Sequence, residues 1–135
     1  MKSSIKFNEA LKAFRDSVTP EGCLLIGESY WIQSPDPDYL AFVGEPGGTY
    51  RSHQENVDLA GSLGWQILYA TTSSLDEWDD FEWSHHLRIE TEARENPNSP
   101  TAIEKRDRGR AWRKAYLEWG RGTLGFGFYL FRRDS

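Results

Sequence analysis

The sequence predicts an α/β chain: a small three-stranded sheet with flanking helices and a pair of long helices inserted before the last strand. Three observations predict it. Cys23-Leu24-Leu25-Ile26-Gly27 is a continuous apolar run that follows a stretch of helical apolar spacing, and Trp65 to Thr72, rich in strand formers, lies between two helices announced by capping boxes. Leu124 to Phe131 has apolar residues or glycine on both faces, the pattern of an interior strand. Between the second and third strands, residues 75 to 119 open with a capping signal and are broken once, at Asn96-Pro97-Asn98-Ser99-Pro100, as an antiparallel helix pair requires.

The elements follow in order. Phe7, Ala10, Leu11, Phe14 and Val18 predict a helix over about residues 6 to 18, stopped by Pro20-Glu21-Gly22. The run Cys23 to Gly27 is too short for a helix and reads as a strand buried on both faces. Ser34-Pro35-Asp36-Pro37-Asp38 and Gly44-Glu45-Pro46-Gly47-Gly48 bracket a short helix around Tyr39 to Val43 inside a long shaped loop. Ser52 with Glu55 three residues on predicts a reciprocally capped helix, with Val57, Ala60 and Leu63 on its inner face and Gly64 at its end. Ser74 and Glu77 repeat that capping box after the second strand, and this helix runs through Trp78, Phe81, His85 and Ile89 to about Glu95. The second of the pair spans about Thr101 to Trp119. In the last strand, Gly125 and Gly127 leave a bare face that permits close approach of a helix or ligand.

Composition bounds the function. With 135 residues, 38% hydrophobic and 14% aromatic, the chain reads as one folded domain, 1–135, and not as a disordered segment. No apolar run is long enough to cross a membrane, and the first residues lack a signal-peptide pattern, so a cytoplasmic protein is expected. The single cysteine, Cys23, excludes an internal disulfide and reads as a small core residue. Residues 1 to 100 carry 7 basic and 17 acidic side chains, whereas 101 to 135 carry 9 basic and 4 acidic, so the two parts should attract each other. The six basic residues between Lys105 and Lys114 therefore read as a solvated or internally paired helix face, and no nucleic-acid partner is expected of a chain with pI near 5.2.

Few residues carry a chemical signal. Glu28 follows the first strand at the edge where open α/β sheets place ligands, with Tyr30 and Trp31 following it; a carboxylate there can hold a cation or accept a hydrogen bond from a substrate, or merely cap a helix or make a loop salt bridge. Trp78 and Trp83 either wall a pocket or belong to the core. The acids of Asp76-Glu77-Trp78-Asp79-Asp80 point around the helix in different directions, and His85 and His86 stand about 100 degrees apart, so neither group makes a metal site. His53 is either an ordinary surface histidine or an acid or base beside Glu55. No nucleophile elbow, phosphate loop or dinucleotide-binding glycine motif is present.

The order helix, strand ending in Gly27-Glu28-Ser29-Tyr30-Trp31, capped helix, strand, helix pair and terminal strand resembles the C-terminal half of class I S-adenosylmethionine-dependent methyltransferases, in a bacterial small-molecule-type subgroup. The matching stretches are Pro20 to Trp31, Arg51-Ser52-His53, Asp76 to Asp79 and Ala115 to Gly127. The resemblance implies a partial Rossmann-like fold with a mixed three-stranded sheet, its last strand central and antiparallel. It implies a substrate pocket drawn from Glu28, Tyr30, Trp31, Arg51, Trp78, Trp83 and Trp119, of which Glu28, Tyr30, Trp31, Trp78 and Trp83 should converge at the carboxyl edge of the sheet, and a small-molecule methyl acceptor. The family's cofactor loop and ribose acid lie in the other half, so this chain alone is expected to bind no cofactor and to be inactive. S-adenosylmethionine is implied only through the family. The chain then reads as a shortened form or one part of a split protein, completed by a missing N-terminal half or by a homodimer. The alternative is a non-catalytic binding or self-associating module of the same fold.

Overall fold

Local chemistry sets the boundaries of each element. The computed structural model describes residues 6–44 and 47–134. Helix α1 (Phe7–Ser17) buries Phe7, Ala10 and Leu11 along one stripe. Strand β1 (Cys23–Trp31) is longer than its apolar run predicts. Its last four residues pair with Leu124 to Gly127, so Glu28 faces Gly127 and Tyr30 faces Gly125, and glycine on the partner strand leaves room for those larger side chains. In helix α2 (Pro37–Val43), the Asp36 carboxylate accepts from the Asp38 N–H at 2.8 Å, Pro37 takes the first turn, and Gly44 ends it at φ +72°.

Helix α3 (His53–Ser62) and helix α4 (Leu75–Glu95) both carry complete capping boxes, Ser52 with Glu55 and Ser74 with Glu77. Strand β2 (Trp65–Thr72) lies between them, and helix α5 (Pro100–Glu118) starts at Ser99, whose hydroxyl accepts from the Ala102 N–H. A 3-10 turn, Gly120–Gly122, leads into strand β3 (Leu124–Arg133).

The sheet order is β1-β3-β2, with β3 antiparallel to both neighbours. β1 and β2 therefore run the same way on either side of a reversed central strand, the arrangement the resemblance implies. A bulge between Ile67 and Tyr69 interrupts the β2 ladder.

The chain divides into two units, Met1–Ser34 with Gly47–Ser73 and Leu124–Ser135, and Pro35–Pro46 with Ser74–Thr123. The first, the sheet unit, has a core of Phe7, Leu11, Ala60, Trp65, Tyr129 and Phe131, with α1 and α3 on the same sheet face. The other face is open: Leu25 is 70% exposed and Tyr69 64%. Cys23 is exposed as well, so the expected two-sided burial of β1 is corrected. Its continuous apolar run is written for two covered faces, yet the helices of this unit cover one.

In the second, the helical unit, α4 and α5 pair antiparallel. The acidic α4 meets the basic α5 through Glu90 with Arg110 (2.7 Å), Glu82 with the Trp112 indole N–H (2.8 Å) and Asp79 with the Tyr116 hydroxyl (2.7 Å). Of these, Glu90 with Arg110 realises the attraction expected from the charge asymmetry, and the other two are hydrogen bonds from neutral donors to α4 carboxylates. Together they set the inner face of α4. Trp78, Glu82, His86, Ile89 and Ala93 turn inward, whereas Phe81 is 67% exposed and His85 lies outside, because polar pairs and not apolar residues alone define the seam. Among the described residues no helix is long and apolar enough to cross a membrane.

Candidate functional site

At the far end of β1 the sheet unit gathers a polar and aromatic cluster. Glu28 is half-buried, and its Oε1 accepts from the Ser29 N–H at 2.8 Å. Burial raises its pKa from 4.5, opposed by that hydrogen bond and by the Arg51 charge. Arg51 is fixed through its backbone, since its carbonyl accepts from the Trp31 N–H at 2.9 Å. Trp31 is tied in place by its indole N–H to the Gly47 carbonyl (2.9 Å) and by edge contact with Tyr50 at 5.2 Å.

Beside them lies a network that the sequence barely announces. Asn56, fully buried, donates from Nδ2 to the Ser29 carbonyl (3.4 Å) and to the Tyr129 hydroxyl (3.0 Å). The Tyr129 hydroxyl lies 2.7 Å from His53 Nδ1. The Tyr129 hydroxyl therefore sits between the Asn56 amide, which donates to it, and the His53 ring nitrogen, and it joins α3 to the central strand. The ring of Tyr30 stacks obliquely on His53 at 5.0 Å. His53 is thus half-buried and tied to a core tyrosine, which corrects the surface reading. Desolvation raises the Tyr129 phenol pKa, opposed by the Asn56 hydrogen bond. A signal for Asn56 does exist in the sequence: it stands four residues before Ala60, on the inner stripe of α3, where a polar residue needs a partner.

The bare face at Gly125 and Gly127 is filled by the chain itself. A Cβ on Gly125 would lie 2.5 Å from the Tyr30 ring, and one on Gly127 2.5 Å from the Tyr129 hydroxyl. The expected opening for a ligand is taken by these two tyrosines.

Of the seven expected pocket residues, Glu28, Tyr30, Trp31 and Arg51 belong to the sheet unit, with Glu28 and Tyr30 on one face of β1 and Trp31 on the other. Trp78, Trp83 and Trp119 belong to the helical unit. Trp78 is half-buried with its indole nitrogen unpartnered among the described residues, and Trp83 stands edge-on to His86 at 5.8 Å. Trp119 packs against Tyr39. In this unit Arg121 and Tyr116 hold the Asp79 carboxyl below its usual range, while burial and Asp79 push the Tyr116 phenol up. Among the described residues no cluster of His, Cys, Asp and Glu could hold a metal ion.

The arrangement at β1 can hold a polar group against an aromatic wall. Glu28 binds its proton more tightly in the folded chain, so the stability it contributes is present below pH 4.5 and is lost as pH rises through the raised value. Replacing it by glutamine is expected to flatten the dependence of urea stability between pH 4 and 7 and to raise stability at pH 7 by less than about 1 kcal/mol, a small figure because solvent screens a half-exposed group. An unchanged slope across that range would show that burial does not govern this carboxyl.

No family model matches the chain. The uncharacterized protein YjhP of Escherichia coli (strain K12) is 26% identical over 125 residues, which are 91% of this chain and 50% of that protein. The X-ray structure of YjhP matches 89% of this chain with a TM-score of 0.81. A SAM-dependent methyltransferase from Geobacter sulfurreducens in complex with S-adenosyl-L-homocysteine matches 93% of this chain and 51% of its own, at 24% identity and a TM-score of 0.84. One from Thiobacillus denitrificans, also in complex with S-adenosyl-L-homocysteine, matches 93% and 52%, at 20% identity and a TM-score of 0.83. The chain has the fold of class I S-adenosylmethionine-dependent methyltransferases and spans about half the length of the relatives it matches.

Proposed function

We propose that this chain is the acceptor-side, C-terminal half of a bacterial S-adenosylmethionine-dependent methyltransferase of small-molecule type and is inactive without a cofactor-binding half. The observation that carries this reading is the coverage: nearly all of this chain superposes on about half of two enzymes that bind S-adenosyl-L-homocysteine. Methyl transfer requires an in-line approach of the acceptor to the sulfonium methyl, so the protein contributes mainly position. Glu28 accepts a hydrogen bond from the acceptor's amine or hydroxyl, Arg51 balances that carboxylate, and Tyr30 supplies an aromatic wall braced by His53. Trp31 anchors the loop that carries Arg51. These roles rest on the cluster at the end of β1.

The test is calorimetry of the isolated chain with S-adenosylmethionine, where no binding heat is expected. A dissociation constant in the low micromolar range, about -8 kcal/mol, would overturn the reading. A second reading, a non-catalytic self-associating module, is favoured by the open sheet face and the unpaired side of β1; in it, two copies join through β1 as a homodimer.

A further inference from the structure

The helical unit contains a groove of its own, about 590 Å³, along the seam of α4 and α5. That volume suits a small organic ligand. Its ends differ in chemistry. The pairs Asp79–Tyr116, Glu82–Trp112 and Glu90–Arg110 fix the antiparallel register, so Phe81 and Trp112 lie toward one end and Arg88, Lys105 and Arg108 toward the other. Trp112 is 44% exposed, yet its indole is held by the Glu82 carboxylate and its ring is backed by Phe42 at 6.2 Å, so it presents a fixed aromatic surface. At the other end, Arg88, Lys105 and Arg108 make no hydrogen bond or ion pair among the described residues. Two acids also line the groove. Glu82 is engaged by Trp112, which leaves Glu92 as the one acid without a described partner facing three such cations.

We propose that this groove binds a free amphipathic organic anion, with a flat apolar body against Phe81 and Trp112 and an acidic head at Arg88, Lys105 and Arg108. Seven residues of α4 separate Phe81 from Arg88, about 10 Å along a helix, the length of a fused-ring or aryl acid. Aromatic surface supplies most of the contact, and the cations select the charge. The site needs only the helical unit and is independent of the methyltransferase reading.

The probe is 2-naphthoate, titrated into the full chain by calorimetry and followed by tryptophan fluorescence, with 2-naphthalenemethanol as the neutral body of the same shape. The acid is expected to saturate at one per chain, with the alcohol at least tenfold weaker. The double variant Arg88→Gln/Arg108→Gln should bring the acid down to the alcohol's affinity, and Trp112→Ala should weaken both about tenfold. All three side chains are exposed or half-exposed, and circular dichroism verifies that the variants fold. Equal affinity for acid and alcohol, no effect of the arginine replacements, or retention on phosphatidylglycerol vesicles without naphthoate binding would each overturn the proposal. A failure here leaves the S-adenosylmethionine titration untouched, because the two experiments read different ligands.

Discussion

Replacing Trp65 by alanine is expected to remove about 3 to 5 kcal/mol of stability, measured by urea denaturation and read at the tryptophan-independent far-ultraviolet signal. The indole is 2% exposed, its N–H donates to the Leu11 carbonyl at 3.1 Å, and its ring lies 6.3 Å from that of Phe131. It ties β2 to α1 and to the central strand in one contact set. Small domains have only about 5 to 15 kcal/mol in total, so this change alone threatens folding. Trp65→Phe keeps much of the volume and loses the hydrogen bond, and should cost clearly less. If the alanine variant loses less than about 1 kcal/mol, the core of the sheet unit is not built around this ring.

Most of the architecture is legible in the sequence because its signals are local. The two Ser-x-x-Glu boxes, the prolines at 97 and 100 and the strand formers of β2 each act within a few residues, and the observed elements start and stop there. What is not legible depends on partners distant in the chain. The apolar run of β1 stops at Gly27 because Glu28 and Ser29 are polar, yet the strand continues to Trp31 along Leu124 to Gly127 of the partner strand. Cys23 and Leu25 read as core because a continuous apolar run signals two covered faces, whereas the helices of the sheet unit cover one. His53 reads as surface because nothing near it in sequence reveals Tyr129, 76 residues on. The glycines of β3 show that space is available, but not that Tyr30 and Tyr129 fill it.

Two copies of the chain are expected to associate through β1, giving a sedimentation mass of about twice 15.6 kDa at tens of micromolar. The reason lies in which backbone groups of β1 already have partners. The Ser29 N–H is taken by Glu28 and the Trp31 N–H by the Arg51 carbonyl, so these residues turn their backbone groups away from β3. Backbone direction alternates along a strand, so Cys23, Leu25 and Gly27 turn outward too, on an edge that carries an exposed Leu25. An unprotected apolar edge pairs readily, and a twofold axis near Leu25 joins two such edges antiparallel. A stable interface of this kind needs about 1,000 Å² or more, which the open sheet face beside β1 can extend. Leu25→Pro separates this pairing from folding. Its outward N–H makes no bond to β3, so proline removes nothing from the sheet while denying a donor to the second copy. The variant should sediment as a 15.6 kDa monomer with an unchanged circular dichroism spectrum. A monomeric parent chain at tens of micromolar refutes the association, and a Leu25→Pro variant that folds and remains dimeric moves the interface away from β1.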